Sequence, residues 1–146
     1  MKPGQADVLL VEDSAAEARL ALEALEALGE AHSHVRLHVV SDGAQALAYL
    51  RREAPYQEAP RPHLVLLDLN LPRKDGREVL REIKADDDLR RIPVVILTTS
   101  QEQSDIRHAY ELHANCYIQK PLELDGFIET VRCIHRFWLQ TAELPG

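Results

Sequence analysis

Five side chains with chemistry to offer occupy one kind of place in this 146-residue chain: the end of a short apolar run. Glu12 and Asp13 follow VLLV, Asp68 follows LVLL, Thr98 follows VVIL, and Lys120 lies in the QKP that follows CYI. An apolar run bounded by turn signals reads as a buried strand. If the strands are parallel, all five residues gather at one edge of a sheet, where ligands bind in open α/β folds. Three carboxylates packed together repel one another until a proton or a cation joins them. Oxygen-only donors favour a hard ion, and Mg2+ fits best, whereas Zn2+ would want the His or Cys that these strand ends lack. A lysine beside such an ion makes sense if an anion also arrives. A phosphoryl group would find a nucleophile in Asp68, neutralising charge in Mg2+ and Lys120, and a hydrogen-bond donor in Thr98. Taken singly, Asp68 reads as a cap or turn residue, Thr98 and Thr99 as strand formers, and Lys120 as a surface lysine. Their joint placement carries the argument.

The elements that must position them alternate along the chain. Strands are expected at 8–11 (after a disposable polar start), 35–40, 64–67, 94–97 and 116–118. Helices are expected from a cap at Asp13 or Ser14 to a stop at Gly29, then at about 44–52, 77–85, 102–112 and 124–139. Residues 54–62 carry three prolines and read as a loop. The run DDDLRR at 86–91 reads as a solvated turn. Five strand–helix repeats predict an α/β fold with a parallel sheet covered on both faces.

Composition narrows the class. Apolar residues make up 45% and charged residues 28%, an ordinary soluble mix, and the length predicts a single domain, 1–146, with a core at about 6–140 and a short tail at 141–146. The net charge of -7 argues against nucleic acid. No signal peptide is visible, and no apolar run approaches the roughly 18 residues of a membrane span. Cys116 and Cys133 read as reduced thiols, which predicts a cytoplasmic protein. Seven histidines raise a metal reading. His34 and His38 share a strand face, His32 falls in the preceding loop, and all three read as solvent-facing.

The blocks VLLVEDS, LVLLDLNLPRKDG, VVILTTS and YIQKP, in this order and spacing, resemble the receiver domain of two-component response regulators. The resemblance covers nearly the whole chain. It implies a doubly wound five-stranded sheet of flavodoxin-like order 2-1-3-4-5 with five helices. It also implies that Asp68 is the phosphoacceptor, Asp13 a direct Mg2+ ligand, Glu12 an acidic companion acting through water, and Asn70 the donor of a backbone carbonyl to the ion. Thr98 and Lys120 match the family's hydroxyl and lysine, and Tyr117 matches its aromatic switch residue. A cis Lys120–Pro121 bond is implied too. The phosphoryl donor is then a histidine of a sensor kinase, and the only catalysis is transfer to, and hydrolysis at, the protein's own aspartate. The segment ELHANCYIQKP and the ending FWLQTAELP resemble the small regulators paired with cyanobacterial phytochromes and bacteriophytochromes.

A phosphatase with an aspartyl nucleophile is a competing class, but it would place that residue after the first strand with a second Asp two positions on; position 70 is Asn. A flavin carrier would need a loop of amide donors where Glu12 and Asp13 stand. A binding-only relative would not need the full set of acids, Thr and Lys. A relay intermediate, passing the phosphoryl group to a phosphotransfer protein, uses the same residues. In a single α-helix over 124–139 the apolar side chains would spread over roughly 240° of the surface, far more than one core-facing stripe. Cys133, Phe137 and Trp138 are therefore expected to face a partner, a second copy of the chain, unless the tail folds back over them.

Overall fold

The computed structural model describes residues 5–29 and 34–145; His32 lies outside them. Five strands, β1 (Ala6–Val11), β2 (Val35–Val40), β3 (Leu64–Leu67), β4 (Val94–Thr98) and β5 (Cys116–Gln119), alternate with five helices. The helices are α1 (Ala15–Glu26), α2 (Gly43–Leu50), α3 (Gly76–Ala85), α4 (Gln103–Glu111) and α5 (Leu124–Ile134). The sheet is wholly parallel, in the order β2-β1-β3-β4-β5.

Register fixes where the strand ends fall. Val11 lies opposite both Val40 and Leu67, so the residues just after β1 and β3, Glu12 and Asp68, end level with each other. Thr98 lies opposite Gln119, which puts Lys120 one step beyond the last β4–β5 pair.

Successive strand residues point to opposite faces, and the core divides accordingly. Leu9, Val11, Val65, Leu67, Val94 and Ile96 pack against α2, α3 and Ala109 of α4. Val8, Leu10, Leu64, Leu66, Val95 and Leu97 pack against α1 and α5 through Ala21, Ala24, Phe127 and Ile134. Burial on both faces is what continuous apolar runs such as LVLL require.

Several expectations need correction. The polar start is not disposable: Asp7 belongs to β1 and is buried, accepting hydrogen bonds from Arg36 (3.1 Å) and meeting His38 Nε2 at 3.0 Å across the β1–β2 pair. His38 is thus partly buried against Asp7 rather than solvent-facing; His34 is exposed, as expected. The run DDDLRR is not merely solvated. Asp86 caps its backbone, accepting from the amides of Asp88 (2.8 Å) and Leu89 (2.9 Å), and Leu89 enters the core from a turn of 3-10 helix, Leu89–Arg91. Lys120–Pro121 is trans, the default even before proline; among the described residues the cis bond is Ala54–Pro55.

The last helix is not α-helical throughout. It ends at Ile134 and continues as a π-helix, His135–Thr141. Five α-helical residues turn through about 500°, leaving Leu139 about 140° from Ile134. Hydrogen bonds from i to i+5 rotate each residue less than an α-helix does, so Leu139 comes closer to the side of Ile134 and is buried with it. Trp138 packs partly against this core, and Leu144 of the tail folds back onto it. Phe137 stays 53% exposed, and Cys133 is exposed.

Burial opposes the ionised form of Asp7, but the hydrogen bonds of His38 and Arg36 outweigh it and hold its carboxyl below the ordinary 3.8. A depressed carboxyl stabilises the fold above its unfolded value and loses that contribution as pH falls through the depressed one. Asp7→Asn is therefore expected to cost about 1–2 kcal/mol in urea unfolding at pH 7. The gap to wild type is expected to close below about pH 4.

Candidate functional site

The β1–α1 junction brings two of the acids. The strand ends at Val11, and the Glu12 amide still donates to the Val40 carbonyl (3.0 Å), which keeps Glu12 at the sheet rim. Ser14 caps α1, its hydroxyl accepting from the Glu17 amide at 3.2 Å. The Ser14 amide donates in turn to Glu12 Oε2 at 3.0 Å. Asp13 lies between them, exposed.

The β3–α3 junction brings Asp68. Its amide donates to the Val11 carbonyl at 3.2 Å, holding it beside β1. Gly76 opens α3 directly against this segment. A Cβ there would lie 2.1 Å from the Asp68 carbonyl oxygen and 2.7 Å from Leu69 Cα, so only glycine lets the helix close onto the strand end. The Asn70 amide donates to Asp68 Oδ1 at 3.4 Å.

Together Glu12, Asp13 and Asp68 offer carboxylate oxygens that all lie within 4.8 Å of one another. Lys120, 6% exposed, reaches them from the end of β5. Its Nζ donates to Glu12 Oε1 at 2.5 Å and to Glu17 Oε1, and lies 3.6 Å from Asp68 Oδ2. Burial raises the Glu12 carboxyl above its ordinary value and the Asp68 charge adds to this, against the hydrogen bonds from Lys120 and Ser14. Burial would depress the Lys120 ammonium, but its acidic partners overcome that and raise it, so it stays charged.

Thr98 is fully buried at the end of β4, and its Oγ1 has no hydrogen-bond partner among the described residues. Its carbonyl accepts from the Lys120 amide at 2.6 Å. Tyr117, on β5, donates its hydroxyl to the Ser100 carbonyl at 2.9 Å. Ser100 Oγ donates to Asp105 (2.6 Å), and Arg77 of α3 donates to Asp105 as well (2.8 Å).

Glu12, Asp13, Asp68 and Lys120 thus meet as the strand ends suggested, with Asn70 and Thr98 on the adjoining segments. Cys133, Phe137 and Trp138 lie on the last helix, apart from this cluster. Glu17 and the Arg77–Asp105–Ser100 chain were not found from the sequence. The S-x-x-E pattern of Ser14 and Glu17 was a visible signal, but it ordinarily reads as a capping box alone. The all-oxygen donor set suits a hard divalent ion such as Mg2+.

A 2-1-3-4-5 parallel sheet carrying this acid, lysine and hydroxyl edge defines a receiver-type domain. The chain belongs to the response regulator receiver domain family, whose model matches residues 8–132. It is 50% identical over 139 residues to response regulator Rcp1 of Synechocystis sp., covering 95% of this chain and 92% of that protein. The structure of the phosphorylated cyanobacterial phytochrome response regulator RcpA superposes with a TM-score of 0.92 at 50% identity, covering 98% of this chain and 100% of that one. The Mn2+-bound form of Rcp1 superposes with a TM-score of 0.89 at 48% identity, covering 97% and 99%. Among the described residues, no helix is long and apolar enough to cross a membrane.

Proposed function

We propose that this protein is a phosphorylation-controlled response regulator that accepts a phosphoryl group on Asp68 from a phytochrome-type sensor histidine kinase in the cytoplasm. The observation that carries this reading is the trio of carboxylates within 4.8 Å, with a buried, charged lysine 3.6 Å from one of them. The kinase class is supported by the likeness to the phytochrome regulator RcpA.

In the transfer, a carboxylate oxygen of Asp68 forms a bond to phosphorus. The N–P bond of the kinase phosphohistidine breaks, and its electron pair returns to the histidine nitrogen. Asp13 and Asp68 are the direct ligands we assign to Mg2+, with the Asn70 carbonyl. Glu12 has one oxygen on Lys120 and the other on the Ser14 amide, which suits a role through water. Bound Mg2+ would neutralise charge on the phosphoryl oxygens. Lys120 supplies further positive charge, and the unpartnered Thr98 hydroxyl is a donor with no competing contact to give up. As Thr98 turns toward the phosphoryl group, Tyr117 exchanges its bond to the Ser100 carbonyl for a more inward position, and the face formed by α4, β5 and α5 changes for its partners. Asp68→Asn is expected to abolish the mass increment gained from acetyl phosphate and Mg2+; an increment that survives removes Asp68 as the acceptor.

We also assign a second copy of the chain to the last helix. Phe137 stays half exposed while stacked edge-on against Trp138 (5.2 Å between centroids, 87°), and Cys133 lies exposed on the same helix. In light scattering at micromolar concentration the wild type is expected to be a dimer and Phe137→Ser a monomer. A wild type that is monomeric with and without phosphorylation contradicts this assignment.

A further inference from the structure

We propose that Glu17 is a positioning residue that keeps the Lys120 ammonium, though in ion-pair range of Asp68, short of a hydrogen bond to it until a phosphoryl group arrives. The proposal deepens the reading above and rests on Asp68 as the acceptor.

The local sequence explains why Glu17 is free to do this. Ser14 and Glu17 have the spacing of a capping box, in which the glutamate returns to the N-cap amide. Only half of the box forms. The Ser14 hydroxyl accepts from the Glu17 amide, but the Ser14 amide is taken by Glu12 Oε2. The Glu17 carboxylate is released from capping and bonds Lys120 instead. Lys120 now has two acidic hydrogen-bond partners, and Asp68, at 3.6 Å, is beyond hydrogen-bond distance. Glu12 is buried, whereas the Glu17 side chain is 41% exposed. Glu17 is therefore the partner that Lys120 can leave at small cost. Its charge also opposes an incoming phosphate dianion.

The test uses the full chain with acetyl phosphate and Mg2+. An Asp68 oxygen bonds to phosphorus, the bond from phosphorus to the acetyl oxygen breaks, and acetate leaves with the electron pair. Glu17→Gln retains the backbone amide that Ser14 caps. It is expected to label about two- to fivefold faster than wild type, the range of a partly exposed ion pair. Glu17→Asp, which restores the charge, is expected to return toward the wild-type rate. A second readout needs no phosphorylation: the rate of Lys120 reductive methylation, followed by mass spectrometry, is expected to rise in Glu17→Gln. Labelling no faster than wild type, or unchanged Lys120 reactivity, overturns the proposal. Labelling that persists in Asp68→Asn would instead overturn the acceptor assignment, and the methylation comparison would still decide the Glu17–Lys120 contact.

Discussion

The interaction on which the site depends joins the two ends of the chain. Lys120, at the end of β5, reaches across 108 positions of sequence to Glu12, and the same ammonium meets Glu17 and lies close to Asp68. Carboxylates crowded at a sheet rim would separate or protonate without positive charge among them. A buried ion pair is poor evidence for stability, because desolvation offsets the attraction, but removing one partner leaves an uncompensated buried charge. Lys120 therefore does more for the arrangement of the acids than for the stability of the fold, and it leaves the cluster short of positive charge. That shortage is what a divalent ion meets.

The sheet makes this arrangement possible through register. Glu12, Asp13, Asp68, Thr98 and Lys120 each lie at or within two residues of a strand end, and the pairing of Val11 with Leu67 and of Thr98 with Gln119 sets those ends in line. Gly76 lets α3 close against Asp68, so that residue is fixed from both sides. The Arg77–Asp105–Ser100 chain then ties the start of α3 to the loop after β4 and to the Tyr117 hydroxyl.

The strands and the site acids were legible because a doubly covered parallel sheet demands uninterrupted apolar runs, and such runs announce their own ends. What was not legible depends on contacts between distant residues or on competition for one group. Asp7 looked like part of a polar leader because its partners, Arg36 and His38, belong to another strand. Leu89 is a single apolar residue in a charged run, and only the capping by Asp86 turns it inward. The π-helix that buries Leu139 shows no periodic signal over so few residues. Glu17 was hidden by its own motif, since Glu12 takes the amide that the motif would have given it.

Whether Glu12, Asp13 and Asp68 form a cation-hungry cluster is read from the melting temperature with Mg2+ and with EDTA. A ligand that binds only the folded state raises its melting temperature. Wild type is expected to melt higher in millimolar Mg2+ than in EDTA, and Asp13→Asn is expected to lose that difference. A wild type indifferent to Mg2+, or an Asp13→Asn variant that keeps the full rise, would show that these carboxylates do not hold the ion.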